Sequence, residues 1–172
     1  IKNLMLLSKI IGILEDWCPA SDAEDFDNVG LLVGEQESEI KKAIITLDIT
    51  DDVIDECISC ESNLIISFHP LFIIDPKTEI TDTRVNDIII KCVKNDINVY
   101  CIHTNLDNNK DGTSYQLGKI LKLKNQKILI SNDCNSLKGM GSIGFMEKSM
   151  MDYDFISFLK EKFDLKYLRH SN

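Results

Sequence analysis

The segment Asn63-Leu64-Ile65-Ile66-Ser67-Phe68-His69-Pro70-Leu71 consists of a short apolar run followed at once by polar and aromatic residues. The pattern recurs in the segment Ile97-Asn98-Val99-Tyr100-Cys101-Ile102-His103-Thr104-Asn105-Leu106-Asp107. Short apolar runs of this kind are typical of buried strands, and open α/β sheets place their ligands beyond the carboxyl ends of such strands. The two segments therefore predict neighbouring strands of an α/β sheet, with the polar clusters emerging at the strand ends.

Helical and strand-like patterns alternate along the first three quarters of the chain. Apolar spacing and capping residues predict helices at 3–17, 51–60, 81–94 and 112–121, and short apolar runs predict further strands at 29–34, 42–48 and 127–130. Asp51 is the expected cap of the second helix, and Thr81 or Asp82 of the third. Strands joined by helical crossovers favour a mostly parallel central sheet flanked by helices on both faces.

The character of the sequence changes after about residue 132. A turn-rich stretch at 131–136 is followed by patterns for a hairpin strand at 142–146, a helix at 151–162 and a strand at 165–169. We therefore expect a first α/β lobe over residues 1–132 and the start of a second lobe over residues 133–172. Because the chain begins at Ile1 rather than Met and ends soon after a predicted strand, we expect a truncated fragment.

Composition narrows the class of protein. The chain has 172 residues, 44% of them hydrophobic, which is ordinary for a globular domain. The formal net charge of -9, from 28 acidic and 19 basic residues, argues against a surface that follows nucleic-acid phosphates. No apolar run approaches the roughly 20 residues that span a bilayer. Six cysteines lie mostly within apolar patterns without a secretory signal, so we expect reduced thiols in a cytoplasmic protein.

Two of the three histidines lie in the strand-end segments. Imidazole nitrogen and carboxylate oxygen together suit a divalent transition metal such as zinc, manganese or iron, so His69 and Asp107 are candidate ligands. Pro70 favours an extended backbone at His69, which would direct the ring into a cleft; a hydrogen bond to a loop carbonyl is an equal alternative. Asp107 taken alone fits a turn former. His103 fits a strand-end polar residue, a proton shuttle or a partner that orients a ligand.

Three further motifs have simpler structural interpretations. The string Gly139-Met140-Gly141-Ser142-Ile143-Gly144 matches the dinucleotide fingerprint, but that fingerprint follows a first strand and opens a helix, whereas this string coincides with a strand-like pattern. Asp25 and Asp27 precede a predicted strand and could line the mouth of a cleft, although a solvated loop is the favoured interpretation. Cys57 and Cys60 form a C-x-x-C pair within a predicted helix, where packing is more common than metal or redox chemistry.

Taken in order, these segments make the chain resemble the Nif-three-like family, whose members are often called GTP cyclohydrolase I type 2 homologues. The resemblance covers about residues 4–169, and its strength lies in the order and spacing of the motifs rather than in any one of them. The matching pieces are Asp27-Asn28-Val29-Gly30-Leu31 with Gly34, Leu47-Asp48-Ile49-Thr50, Ser67-Phe68-His69-Pro70-Leu71-Phe72, His103-Thr104-Asn105-Leu106-Asp107, Gly112 and Gly139-Met140-Gly141-Ser142-Ile143-Gly144.

The resemblance implies an α/β protein whose full-length members have two similar halves, form homo-oligomers, commonly hexamers, and hold two divalent metal ions in a cleft. On this basis residues 1–132 carry a partial metal site and residues 133–172 begin a second, similar half. The family's metal ligands include the second histidine before the proline and the aspartate of the HTNLD-like segment, which are His69 and Asp107 here. Phe68 stands where many members have a first histidine, and its ring cannot bind a metal. The family's C-terminal histidine and glutamate motif does not occur in residues 1–172.

The resemblance and the strand-end residues together imply a divalent-metal-binding protein. The leading hypothesis is a metal-dependent hydrolase in which His69 and Asp107 hold the ion, His103 relays protons or orients a ligand, and metal-activated water attacks a nucleotide-like small molecule. The alternative is a non-catalytic, metal-binding oligomeric scaffold or regulatory interaction protein. The expected cofactor is zinc, manganese or iron, with two ions in the full-length site. Expected partners are further copies of the chain, forming a hexamer, and a small-molecule substrate, with neither nucleic acid nor membrane.

Overall fold

Helices and strands alternate along the chain in the computed structural model, which describes residues 5–73, 83–131 and 138–171. The helices are α1 (Leu7–Trp17), α2 (Asp51–Ser59), α3 (Thr83–Lys94), α4 (Thr104–Asp107), α5 (Thr113–Ile120) and α6 (Asp152–Lys162), with a 3-10 turn at Ala20–Asp22. The strands are β1 (Met5–Leu6), β2 (Gly30–Val33), β3 (Glu39–Ile40), β4 (Ala43–Thr46), β5 (Leu64–Ser67), β6 (Asn98–Cys101), β7 (Lys124–Ser131) and β8 (Gly139–Phe145). The described residues up to Asn109 form one compact unit, and those from Lys110 form another.

The central sheet of the first unit is mixed. Its strand order is β2-β6-β5-β4, with β4–β5 and β5–β6 parallel and β2–β6 antiparallel. The prediction of a mostly parallel sheet is therefore corrected. An apolar run has the same appearance in either strand direction, and an antiparallel edge strand beside parallel neighbours is common in α/β folds.

Helices cover both faces of this sheet, as the sequence predicted. Because successive strand residues point to opposite faces, Leu64 and Ile65 are both fully buried, one in each of two hydrophobic clusters. One cluster includes residues of α2 and α3, namely Ile54, Cys57, Val85, Ile88 and Cys92. The other includes Leu7 of α1, with Cys18, Ile40, Tyr100 and Ile102. The sheet that leads into the two histidines is thus packed against helices on both faces.

The helix starts differ from the predictions in detail. The first helix begins at Leu7 because Met5–Leu6 pairs with β3 instead. Thr50, not Asp51, caps α2: its hydroxyl accepts a hydrogen bond from the amide of Val53 at 3.3 Å. The predicted caps at Thr81 and Asp82 lie outside the described residues.

The second unit contains a two-stranded antiparallel sheet of β7 and β8, and α5 packs against β8. The predicted strand at 127–130 is real, but its assignment to the central sheet is wrong because it belongs to β7. The first compact unit ends at Asn109, and the lobe boundary expected at residue 132 stays a prediction. The helix predicted at 151–162 matches α6, whereas 165–169 is not a strand, since no described strand pairs with it. A second half similar to the first stays a prediction.

Membrane-spanning potential and the state of the cysteines can both be examined in the described residues. Among the described residues, no helix is long and apolar enough to cross a membrane. The five cysteines in the described ranges are free thiols. Burial raises the pKa of Cys57, whose thiol donates to the carbonyl of Ser62 at 3.3 Å, so this member of the C-x-x-C pair is a packed, protonated side chain.

Candidate functional site

Three aromatic rings meet at the carboxyl ends of β5 and β6. Ser67 of β5 is paired with Cys101 of β6, so the residues that follow each strand emerge side by side. The ring centroids of His69 and His103 lie 5.6 Å apart, and the Phe68 ring lies 5.1 Å from the first and 5.3 Å from the second. The sequence prediction that the two histidine segments emerge at neighbouring strand ends is confirmed.

The end of β4 positions a carboxylate beside His69. The amides of Phe68 and His69 donate to the carbonyls of Thr46 and Leu47 at 3.0 and 2.9 Å, which continues the parallel pairing past the ends of the strands. This register brings Oδ1 of Asp48 to 2.7 Å from Nδ1 of His69. The ring's partner is therefore a carboxylate rather than the loop carbonyl considered as an alternative. Both side chains remain partly exposed, His69 by 45% and Asp48 by 60%.

A second carboxylate holds His103. Both oxygens of Asp27 lie 2.9 Å from Nδ1 of His103. The Asp27 side chain is completely buried and that of His103 is 15% exposed. The interpretation of Asp27 as part of a solvated loop is therefore wrong.

Asp27 is itself fixed by several donors. The amide of Asn28 donates to its Oδ1 at 2.8 Å, the amide of Thr104 donates to its Oδ2 at 3.0 Å, and the Thr104 hydroxyl also donates to Oδ2. Burial alone would raise the pKa of Asp27, but the hydrogen bonds from Thr104, His103 and Asn28 outweigh burial and lower the pKa below its ordinary value. Asp27 is thus an ionised, buried carboxylate.

The polar residues that follow His103 tie down the loop that carries Asp27. The Thr104 hydroxyl accepts from the amide of Glu24 at 2.9 Å, and the side-chain amides of Asn105 and Asn108 donate to the carbonyls of Cys18 and Asp22 at 2.8 and 2.9 Å. Thr104, Asn105 and Asn108 are all buried. These three residues therefore hold the 18–28 loop against the end of β6.

Asp107 is the last residue of α4, one helical turn after His103. Its amide donates to the carbonyl of His103 at 3.2 Å, and the residue is partly buried. In the ranges that the structure describes, however, no three His, Cys, Asp or Glu side chains are grouped so that they could hold a metal. That Asp107 and His69 bind the same metal ion stays a prediction. His170, the third histidine, is exposed, as expected of a surface residue.

The imidazoles fit part of a divalent-metal site. A metal-binding histidine usually donates its other ring N–H to a carboxylate, which fixes the ring and raises its basicity. His69 and His103 both have this arrangement, with Nδ1 on a carboxylate and Nε2 as the remaining nitrogen. Phe68 offers no donor atom. The described residues therefore supply oriented nitrogen donors without a closed coordination shell.

Sequence reasoning missed Asp27 and Asp48 as site residues. Each lies in a segment that carries the family resemblance, Asp27 at the start of Asp27–Leu31 and Asp48 within Leu47–Thr50. Their position in these segments was the sequence signal that could have identified both aspartates as site residues. The glycine string 139–144 forms part of β8, where Gly139 pairs with Ser131, and no helix opens from it. This agrees with its interpretation as backbone-shaping rather than dinucleotide-binding.

The fold and the site together define an α/β protein with two carboxylate-anchored histidines at the carboxyl end of a mixed sheet. The chain belongs to the DUF34/NIF3 family: the family model described as Duf34/NIF3 (NGG1p interacting factor 3) matches residues 5–172. The resemblance drawn from the sequence motifs is thereby confirmed.

Relatives and solved structures agree with this assignment. A Clostridium perfringens protein named GTP cyclohydrolase 1 type 2 homolog is 38% identical over 167 residues, which are 97% of this chain and 64% of the relative. A protein of the same name from Clostridium acetobutylicum is 39% identical over 163 residues, 94% of this chain and 60% of the relative. The chain therefore spans about three fifths of the length of these relatives.

Two solved structures share the fold over most of the chain. A hypothetical protein of Staphylococcus aureus superposes with a TM-score of 0.85 at 29% identity, covering 97% of this chain and 67% of that one. The reduced form of HcgD from Methanocaldococcus jannaschii gives a TM-score of 0.77 at 32% identity, covering 91% of this chain and 60% of that one.

Proposed function

We propose that this chain belongs to a divalent-metal-binding protein. His69 and Asp107 are its metal ligands, and His103 is the proton-accepting catalytic residue. The observation that carries the proposal is the pair of imidazoles 5.6 Å apart, each held at Nδ1 by a carboxylate. The cofactor class is zinc, manganese or iron, the ions that accept imidazole and carboxylate ligands together. Two ions are expected in the full-length protein.

The proposed reaction is hydrolysis of a nucleotide-like small molecule. The nucleotide class is suggested by the name GTP cyclohydrolase 1 type 2 homolog that relatives carry. When bound, a divalent ion would lower the pKa of a coordinated water so that hydroxide is available near neutral pH. The residues of this chain would orient the donors and receive the proton.

His103 is suited to accept a proton at Nε2. A carboxylate bonded to Nδ1 holds an imidazole in one orientation and stabilises the imidazolium that forms when the ring is protonated. Asp27 is completely buried beside His103 and is fixed by Thr104, so the ring has little freedom to turn away. The His103 side chain is 15% exposed, so it is not sealed from solvent.

The experiment separates metal binding from turnover in the full-length protein. Metal content after loading with Zn²⁺, Mn²⁺ or Fe²⁺ and hydrolysis of GTP are measured for the wild type, His69→Ala, Asp107→Ala, His103→Ala and His170→Ala. We expect the first two variants to lose both metal and turnover, His103→Ala to keep metal and lose turnover by about a hundredfold or more, and His170→Ala to match the wild type. Full turnover in His103→Ala would contradict its assigned role.

The alternative function is a metal-binding oligomeric scaffold without turnover. The observation that favours it is Phe68, which packs against both imidazoles and occupies a place beside them with a ring that cannot bind metal. On this alternative the full-length protein forms a homohexamer that binds metal and hydrolyses nothing. Metal content that depends on His69, together with no detectable GTP hydrolysis and a hexameric mass by light scattering, would select it.

A further inference from the structure

We propose that Asp27 and Asp48 are positioning residues that hold His103 and His69 in the Nδ1–H tautomer. Nε2 of His69 then offers its lone pair to a divalent cation, and Nε2 of His103 offers its lone pair to a proton. The tautomer assignment stands on the hydrogen bonds of the two aspartates. Its consequence for cation affinity rests on the proposed function. Neither aspartate was a candidate ligand or catalytic residue.

The hydrogen bonds around Asp27 determine which partner carries the proton. A backbone N–H can only donate, and each Asp27 oxygen already accepts from one: Oδ1 from Asn28 and Oδ2 from Thr104. An ionised carboxylate is an acceptor only, so the proton in the 2.9 Å contact with Nδ1 belongs to His103. Nε2 of His103 is then the nitrogen with the free lone pair.

The assignment for His69 has weaker support, because it rests on the carboxylate contact alone. Asp48 is a single acceptor at 2.7 Å from Nδ1, and 60% of its side chain is exposed to water, which competes for the carboxylate. The Phe68 ring contacts both imidazoles and restricts their rotation. We therefore expect the Nδ1–H tautomer to be nearly complete at His103 and less complete at His69.

The two aspartates act on separate rings. Asp27 reaches the site from the loop before β2, and Asp48 from the turn after β4. A change at one should alter the tautomer of its own partner and leave the other unchanged. Asp25 provides a matched control, because it lies in the same loop as Asp27, has the same charge and is exposed.

The test is nuclear magnetic resonance of the metal-free chain labelled with ¹⁵N-histidine, recorded at about pH 8, above the ordinary histidine pKa of about 6.5. The three histidines give three imidazole patterns. We expect protonated Nδ1 and unprotonated Nε2 at His103 and predominantly at His69. The exposed His170 should show the mixture of a histidine side chain in water.

The variants complete the test. Asp27→Asn should change only the pattern of His103, Asp48→Asn only that of His69, and Asp25→Asn neither. Zn²⁺ affinity should fall about tenfold to a hundredfold in Asp48→Asn and stay unchanged in Asp27→Asn and Asp25→Asn. If the Asp27→Asn substitution prevents folding, the wild-type spectrum still tests the tautomer of His103, and Asp48→Asn still tests that of His69.

Two outcomes would overturn the proposal: a wild-type His103 protonated at Nε2, or a His69 pattern unaltered by Asp48→Asn. The labelled spectra contain no metal. Failure of metal binding alone would therefore contradict the proposed function and leave the tautomer result intact.

Discussion

Asp27 and His103 are 76 positions apart in the chain, yet both carboxylate oxygens of Asp27 lie 2.9 Å from Nδ1 of His103. The contact closes the loop before β2 over the carboxyl end of β6. Because the Asp27 side chain is completely buried, water cannot replace its hydrogen-bond partners. The contact therefore contributes both to the stability of the fold and to the orientation of His103. Changes at this pair should therefore alter both properties.

The first prediction concerns the stability that Asp27 contributes. Asp27→Ala removes a buried acceptor and leaves the amides of Asn28 and Thr104 without their partner, so the free energy of unfolding should fall by about 3 kcal/mol. Asp25→Ala, in the same loop but exposed, should change it by less than about 0.5 kcal/mol. Urea denaturation of both variants checks this. Equal losses in the two would mean that the Asp27 contacts contribute nothing specific.

The second prediction concerns pH. The pKa of Asp27 is lowered in the folded chain, so its contribution to stability is fully present above the unfolded aspartate pKa of about 3.9. That contribution is lost as the pH falls through the lower pKa of the folded state. The measurement is made in a His103→Ala background, so that no imidazole titrates beside Asp27. There the difference in free energy of unfolding between Asp27 and Asp27→Asn should be constant near neutral pH and shrink below about pH 4. Urea titrations from neutral to acidic pH measure it, and a difference that grows on acidification would refute the assignment.

The third prediction compares two isoleucines of the first unit. Ile54 of α2 is fully buried in the core, whereas Ile45 of β4 is 82% exposed. Ile54→Ala should lower the free energy of unfolding by about 2–5 kcal/mol, since it removes buried methyl groups and leaves a cavity. Ile45→Ala should cost less than about 1 kcal/mol. Thermal or urea unfolding distinguishes them, and similar costs would place Ile54 outside the core.

The fourth prediction uses Phe68. Its ring lies 5.1 and 5.3 Å from the rings of His69 and His103, so Phe68→His adds a third imidazole to the cluster. Zn²⁺ should bind at least about tenfold more tightly to this variant than to the wild type. Phe68→Leu, which removes the ring without adding a donor, should show no gain. Calorimetric titration tests the pair; no gain with histidine would show that position 68 cannot reach the ion.

The sequence predicted the parts of the fold that depend on local apolar pattern. The strands before His69 and His103, and the helices covering both sheet faces, follow from short apolar runs and helical spacing. The direction of β2 did not follow, because an apolar run carries no information on whether its neighbour is parallel. The pairing of β7 with β8 instead of the central sheet depends on long-range contacts in the same way.

The site residues also differ in how far the local sequence predicts their placement. Placing His69 and His103 side by side required only that their strands be neighbours. Burial of Asp27 could not be inferred, because the surrounding sequence Ser21–Asp27 is polar and reads as a loop. Its burial results from Thr104, Asn105 and Asn108, which lie far along the chain and bind that loop. Such a carboxylate is recognisable only when the three-dimensional partners are known.

The most direct test of the proposed metal site is a calorimetric Zn²⁺ titration of this chain in four forms: wild type, His69→Ala, Asp107→Ala and His170→Ala. We expect the wild type and His170→Ala to bind Zn²⁺ with the same affinity, and His69→Ala and Asp107→Ala to bind it at least about tenfold more weakly. Absence of Zn²⁺ binding in the wild type, or equal affinity in His69→Ala and His170→Ala, would contradict a metal site at the ends of β5 and β6.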